Sequence, residues 1–108
     1  MKIMTSYSDG RLTVYLFGEL DHHSARAGVT AIFDAVDTYL PSELVLDMSE
    51  LSFMDSSGIA VIVKTSRKLN SCGGGMLIEN PQAQPRKVLE AAGIDKIVPV
   101  FVKGEVTT

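Results

Sequence analysis

The chain has 108 residues, the size of one domain, with 45% hydrophobic and 21% charged side chains, a globular balance that excludes a disordered chain. Ten Lys and Arg against thirteen Asp and Glu leave a net charge of −3, the wrong sign for a nucleic-acid binder. The longest unbroken apolar run, Ile59 to Val63, is too short for a membrane span, no signal-peptide core is expected after Met1-Lys2, and the lone cysteine, Cys72, excludes a disulfide framework, so a cytoplasmic chain is expected.

The β-rich stretches Ile3 to Tyr7 and Leu12 to Phe17 flank Ser8-Asp9-Gly10-Arg11, and Asp-Gly between two such runs predicts a hairpin. Gly18-Glu19-Leu20-Asp21 then breaks the second strand. Ala25, Val29, Ile32, Phe33, Val36 and Leu40 fall on one face of a helix expected over 24–40, which Pro41 stops. Leu44-Val45-Leu46 reads as a short strand buried on both faces, and the following link to Asp55, with Leu51, Phe53 and Met54, packs down on the core. Ser56-Ser57-Gly58 opens a second helix over 57–70, with Ile59, Ile62, Val63 and Leu69 inward and Lys64, Arg67 and Lys68 on its polar side. Gly73-Gly74-Gly75 ends that segment, and Met76-Leu77-Ile78 reads as a third buried strand. A third helix is expected over 85–92, with Pro85 first and Gly93 as a left-handed stop. Ile97 to Val102, interrupted by Pro99, makes an edge strand.

Alternation of strand and helix implies right-handed crossovers and a largely parallel inner sheet, which the opening hairpin makes mixed. The expected fold is therefore α/β: one domain over residues 1–108, with a mixed four- to five-stranded sheet and three or more helices.

Charge is unevenly spread. Residues 1–55 carry nine acids and three bases, and residues 56–108 seven bases and four acids, a split that fits two solvated faces or a polarised surface that steers a partner. No enzyme signature emerges. The glycine run lacks the Lys-Ser or Lys-Thr of a phosphate-cradling loop. Cys72 falls at a helix C-terminus, which disfavours thiolate. His22 and His23 are adjacent, point in different directions and lack a third ligand, so no metal site is expected. With no acid, base and nucleophile grouped together, neither a catalytic residue nor a cofactor is expected.

Two stretches stand apart: Gly18-Glu19-Leu20-Asp21-His22-His23-Ser24 and Phe53-Met54-Asp55-Ser56-Ser57-Gly58, each leading from a strand into a helix. Both are accounted for by helix capping, with Asp21 or Ser24 serving the first helix and Asp55 or Ser56 the second. A serine at an exposed helix N-terminus is also well placed to carry a phosphoryl group, because free amides and the positive dipole end accept an added charge of about −1.5 to −2. Such a modification spares the fold and changes the surface.

Together, Gly18-Glu19-Leu20-Asp21-His22-His23 and Leu51-Ser52-Phe53-Met54-Asp55-Ser56-Ser57-Gly58 resemble the STAS domain family, and within it the anti-sigma factor antagonists of the sporulation type. The element order agrees with that family from about Ile3 to Phe101. The resemblance implies a regulator that binds an anti-sigma factor, itself a serine kinase, and thereby frees a sigma factor. It implies phosphorylation at Ser56, the serine directly after the aspartate, and reversal by a phosphatase. It also implies a partner surface of Glu19, Leu20, Asp21, His22, Asp55, Ser56, Ser57 and Gly58. A second expectation from the same family is a STAS scaffold subunit of another assembly, such as a stressosome or a lipid-transport complex. In one respect the sequence departs from those relatives: only Val102 to Thr108 follow the last strand, where a further helix is usual.

Overall fold

Asp9 and Gly10 both take positive φ, 51° and 83°, and so form the two-residue turn that Asp-Gly favours. The turn joins β1 (Lys2–Ser8) to β2 (Arg11–Leu20) as an antiparallel pair, with Ser8 opposite Arg11 and Lys2 opposite Phe17. Helical crossovers follow. α1 (Ala25–Tyr39) leads to β3 (Glu43–Met54), and α2 (Ser56–Ser71) leads to β4 (Gly75–Glu79). α3 (Ala83–Ala91) and a short 3-10 turn, Ile94–Lys96, lead to β5 (Val100–Phe101). The computed structural model describes residues 1–103. Its five strands lie in sequence order, with β2 to β5 parallel to one another and β1 antiparallel to β2, which is the mixed α/β sheet expected.

Right-handed crossovers that step one way along a sheet place their helices on one face. The core lies on that face: Leu12, Val14 and Leu16 of β2, Leu44 and Leu46 of β3, and Met76 and Ile78 of β4 pack with Ile32, Val36, Ile62 and Leu69 of the helices. Burial of these apolar side chains is the main favourable term, at roughly 25 cal/mol for each Å² removed from water.

Four local expectations need correction. β2 does not break at Gly18 but runs on through Leu20, because Gly18 adopts φ 99° and lets the strand bend without ending. The link after Leu46 is strand as far as Met54, making β3 twelve residues long. α3 begins at Ala83, two residues before Pro85; a proline is tolerated there because first-turn N–H groups have no intrahelical acceptor. The last strand is confined to Val100–Phe101, at the sheet edge as expected, with the 3-10 turn taking up residues before it. The departure noted at the C-terminus falls largely on residues 104–108, outside the described residues.

The length of β3 has a specific cause. Tyr15 pairs with Asp47 and Leu20 with Met54, and between these pairs the register shifts twice. β3 therefore carries two more residues than β2 over the same span, as two bulges. Met48, Leu51 and Met54 all point inward as a result, at a spacing of three where an unbroken strand would show two.

Candidate functional site

Leu20 and Met54 are register partners at the ends of β2 and β3, so the loops that follow start side by side at the carboxyl edge of the parallel sheet. That edge is where parallel α/β sheets place their working loops.

In the first loop, the Asp21 carboxylate gathers donors. Its Oδ1 accepts the His23 N–H at 2.9 Å and the Ser24 N–H at 3.1 Å. Ser24 Oγ in return accepts the Asp21 N–H at 3.0 Å. The Ser24 N–H foremost, against the opposing effect of desolvation, and then the Ser24 hydroxyl, the His23 N–H and the His23 charge hold the Asp21 carboxyl below the usual carboxylate range. Of the two capping candidates for α1, Ser24 occupies the cap position without a side-chain bond to the helix, and Asp21 takes the free amides of the turn.

In the second loop, Asp55 is the N-cap of α2. Its backbone is extended at φ −110°, and its Oδ1 accepts the Ser57 N–H at 2.8 Å. Its Oδ2 accepts the His22 N–H at 3.3 Å, and its own N–H donates to the Leu20 carbonyl at 3.3 Å. The second capping alternative is thus decided for Asp55, which leaves Ser56 without a capping duty.

Ser56 is exposed, is the first residue of α2, and its hydroxyl makes no hydrogen bond to any described residue. Ser57 is half-buried and faces elsewhere. Ser56 lines a groove between α2 and α3 together with Ile59 and Lys87, whereas Ser57 lines a groove between α1 and α2 with His22, Arg26 and Lys64. The structure gathers Glu19, Asp21, His22, Asp55, Ser56 and Ser57 at one end of the sheet, exposed or half-exposed. Leu20 and Gly58 lie beneath them, buried. A Cβ on Gly58 would strike Met54 Cγ, would stand 2.6 Å from Met54 Sδ and 3.2 Å from Leu20 Cδ2, so only glycine lets α2 approach the strand ends this closely.

Two residues not singled out from the sequence complete the edge. β4 pairs with β3 only as far as Asp47–Glu79, and beyond that point glutamines at the start of α3 take its place. Gln84 Oε1 accepts the Met54 N–H at 2.8 Å while its Nε2 donates to the Met54 carbonyl at 2.9 Å. Gln82 Nε2 donates to the Ser49 carbonyl at 2.7 Å. Two glutamines two residues apart at a helix start were the available signal, and it is a faint one.

The basic stripe of α2 is not uniform. Lys68 pairs with Asp37 at 2.9 Å and sits 4.9 Å from the centre of the Phe33 ring, tying α2 to α1. The His22 and His23 rings meet edge-on at 5.7 Å, and no group of three or more possible metal ligands occurs among the described residues. None of the described helices is long and apolar enough to cross a membrane.

Comparison with known proteins agrees with this geometry. Over 101 residues the chain is 32% identical to the anti-sigma F factor antagonist of Paenibacillus polymyxa, covering 94% of this chain and 86% of that protein. The structure of the anti-sigma factor antagonist SpoIIAA in its unphosphorylated form superposes with a TM-score of 0.79 at 27% identity, over 92% of this chain and 87% of that one. The Bacillus cell fate determinant SpoIIAA in its phosphorylated form gives 0.71 at 27% identity, over 92% and 90%. Residues 2–105 match the STAS domain, and with the sheet order and the paired loops above this makes the chain a member of the STAS domain family.

Proposed function

We propose that this protein is an anti-sigma factor antagonist that works by partner switching, with Ser56 as the phosphorylated residue. Relatives along nearly the whole chain carry that name, and a similar fold has been solved with and without phosphate. Those names describe regulators. The unmodified protein binds an anti-sigma factor that is also a serine kinase, across Glu19, Asp21, His22, Asp55, Ser56 and Ser57. Leu20 and Gly58 set the shape of that surface from below. Transfer of a phosphoryl group to Ser56 ends the complex, and a phosphatase restores it. The setting is cytoplasmic, where the kinase and ATP meet the protein.

One observation carries the choice of serine. The Ser56 hydroxyl is exposed and free of hydrogen bonds to described residues, while Asp55 bears the cap, so a phosphoryl group at Ser56 displaces no bond of the fold. The test is incubation of the protein with the sporulation anti-sigma kinase and ATP, followed by peptide mapping. One added phosphate is expected on the parent and on Ser57→Ala, and none on Ser56→Ala. Loss of labelling in Ser57→Ala alone would assign the wrong serine, and no labelling of any variant would overturn the switch.

A further inference from the structure

The reading of Ser56 leaves open where its phosphoryl group rests. Two grooves flank the start of α2, and both carry cations: Lys87 in the α2–α3 groove, Arg26 and Lys64 in the α1–α2 groove. Ser56 lines only the first of them. Its apolar wall is built from Ile59 of α2 and Val88 and Ala91 of α3, and Lys87 is the one charged residue among the described residues that line it.

Position and availability both favour Lys87. Gln84 grips Met54 through both main-chain groups, so the first turn of α3 is fixed two residues before Ser56. Lys87 lies three residues after Gln84, on the same helical face. Its neighbour Arg86 is engaged with Glu90 at 3.1 Å, whereas Lys87 is exposed and forms no ion pair or hydrogen bond with any described residue. The carboxylate nearest Lys87 in sequence, Glu90, is paired with Arg86 at 3.1 Å, and Asp55, beside Ser56, accepts the N–H groups of Ser57 and His22. An apolar wall also suits a lysine, whose methylene stem lies along it while the charge reaches the rim.

We propose that Lys87 is the counter-ion, within the same chain, of a phosphoryl group on Ser56, and that it holds the group in the α2–α3 groove beside the N-terminal end of α2. The proposal rests on the assignment of Ser56 as the modified residue. The phosphate dianion then has two sources of stabilisation: the helix N-terminus and a cation from the neighbouring helix. A nearby cation favours the dianion over the monoanion, so Lys87 lowers the second ionisation of the phosphate from its ordinary value of about 6.

The experiment is a phosphorus NMR pH titration of the full chain with phosphoserine installed at position 56 during translation, which needs no kinase. Removing the ammonium in Lys87→Ala is expected to raise the titration midpoint by roughly 0.3–0.7 unit, the size of an exposed ion pair. Lys87→Arg keeps the parent midpoint, and Lys64→Ala leaves it unchanged. Equal midpoints in the parent and Lys87→Ala would overturn the proposal, as would a shift produced by Lys64→Ala, which would put the phosphate in the other groove. Lys87 is exposed and unpaired with any described residue, so neither variant threatens the fold. Failure of a kinase to label Ser56 would count against the switch and would leave this measurement readable.

Discussion

His22 and Asp55 are 33 residues apart in sequence, and the His22 main-chain N–H donates to Asp55 Oδ2 at 3.3 Å. The other oxygen of the same carboxylate caps α2 through Ser57. One side chain therefore sets both the start of a helix and the position of the neighbouring loop. Asp55→Ala should destabilise the fold by about 1–2 kcal/mol, the range for a lost N-cap, measured by urea unfolding. It should also speed exchange of the His22 amide, which a helix cap alone would leave untouched.

Ser56→Ala should behave differently from its neighbour. With no hydrogen bond to lose, its unfolding midpoint should stay within about 0.5 kcal/mol of the parent. Ser56→Asp should fold equally well and bind the anti-sigma kinase at least about tenfold more weakly, since an interface must then desolvate a carboxylate. Parent-like binding of Ser56→Asp in calorimetry would contradict this.

Gly58→Ala should destabilise by about 1–3 kcal/mol, the usual cost of overpacking, because the added methyl collides with Met54 and crowds Leu20. Shortening the obstacle should reverse part of this. The double variant Gly58→Ala/Met54→Ala should be more stable than the sum of the two single changes predicts, in a double-mutant cycle.

Gln84→Ala should cost about 1–3 kcal/mol, because it leaves the Met54 N–H and carbonyl without their partner at a half-buried position. Gln84→Met keeps the bulk and should lose nearly as much. Equal stability of Gln84→Met and the parent in thermal unfolding would show that volume, not hydrogen bonding, holds α3 to β3.

The Asp21 carboxyl is held below the usual range in the folded chain, so folding favours its charged form. Its contribution is present above the unfolded carboxylate value, about 3.9, and is lost as the pH falls through the lower folded value. The stability difference between the parent and Asp21→Asn should therefore be constant near neutral pH and shrink under acid, in urea unfolding from pH 7 to pH 3. A difference that grew on acidification would reverse the sign.

Much of this fold is legible in the sequence because local signals agree with the tertiary result. Asp9-Gly10 supplies two positive-φ residues for the hairpin, and the face of Ile32 and Val36 has the helical period. The second half of β3 was illegible because bulges give Met48, Leu51 and Met54 a period of three, which matches neither strand nor helix. The two motif loops could be found as chemistry, yet their junction could not. The bond from His22 to Asp55 follows from parallel strands ending level, a fact of pairing that no single segment encodes. The polar side of α2 misled in part, since Lys68 serves Asp37 and Phe33 and not solvent. Gln84 was invisible because its partner is main chain, which leaves no mark on residue types.

The two bulges make the length of β3 a counted quantity. Deleting one residue at either bulge removes that bulge alone, so Leu20 still pairs with Met54, Met54 stays inside and the Asp55 carboxylate stays beside His22. Deleting two, one from each bulge, gives unbroken alternation against β2 and likewise keeps Met54 inside. This stretch should accordingly accept the loss of one or two residues, whereas a third, which has to come from the paired residues, should turn Met54 toward water and abolish folding in a codon-deletion library.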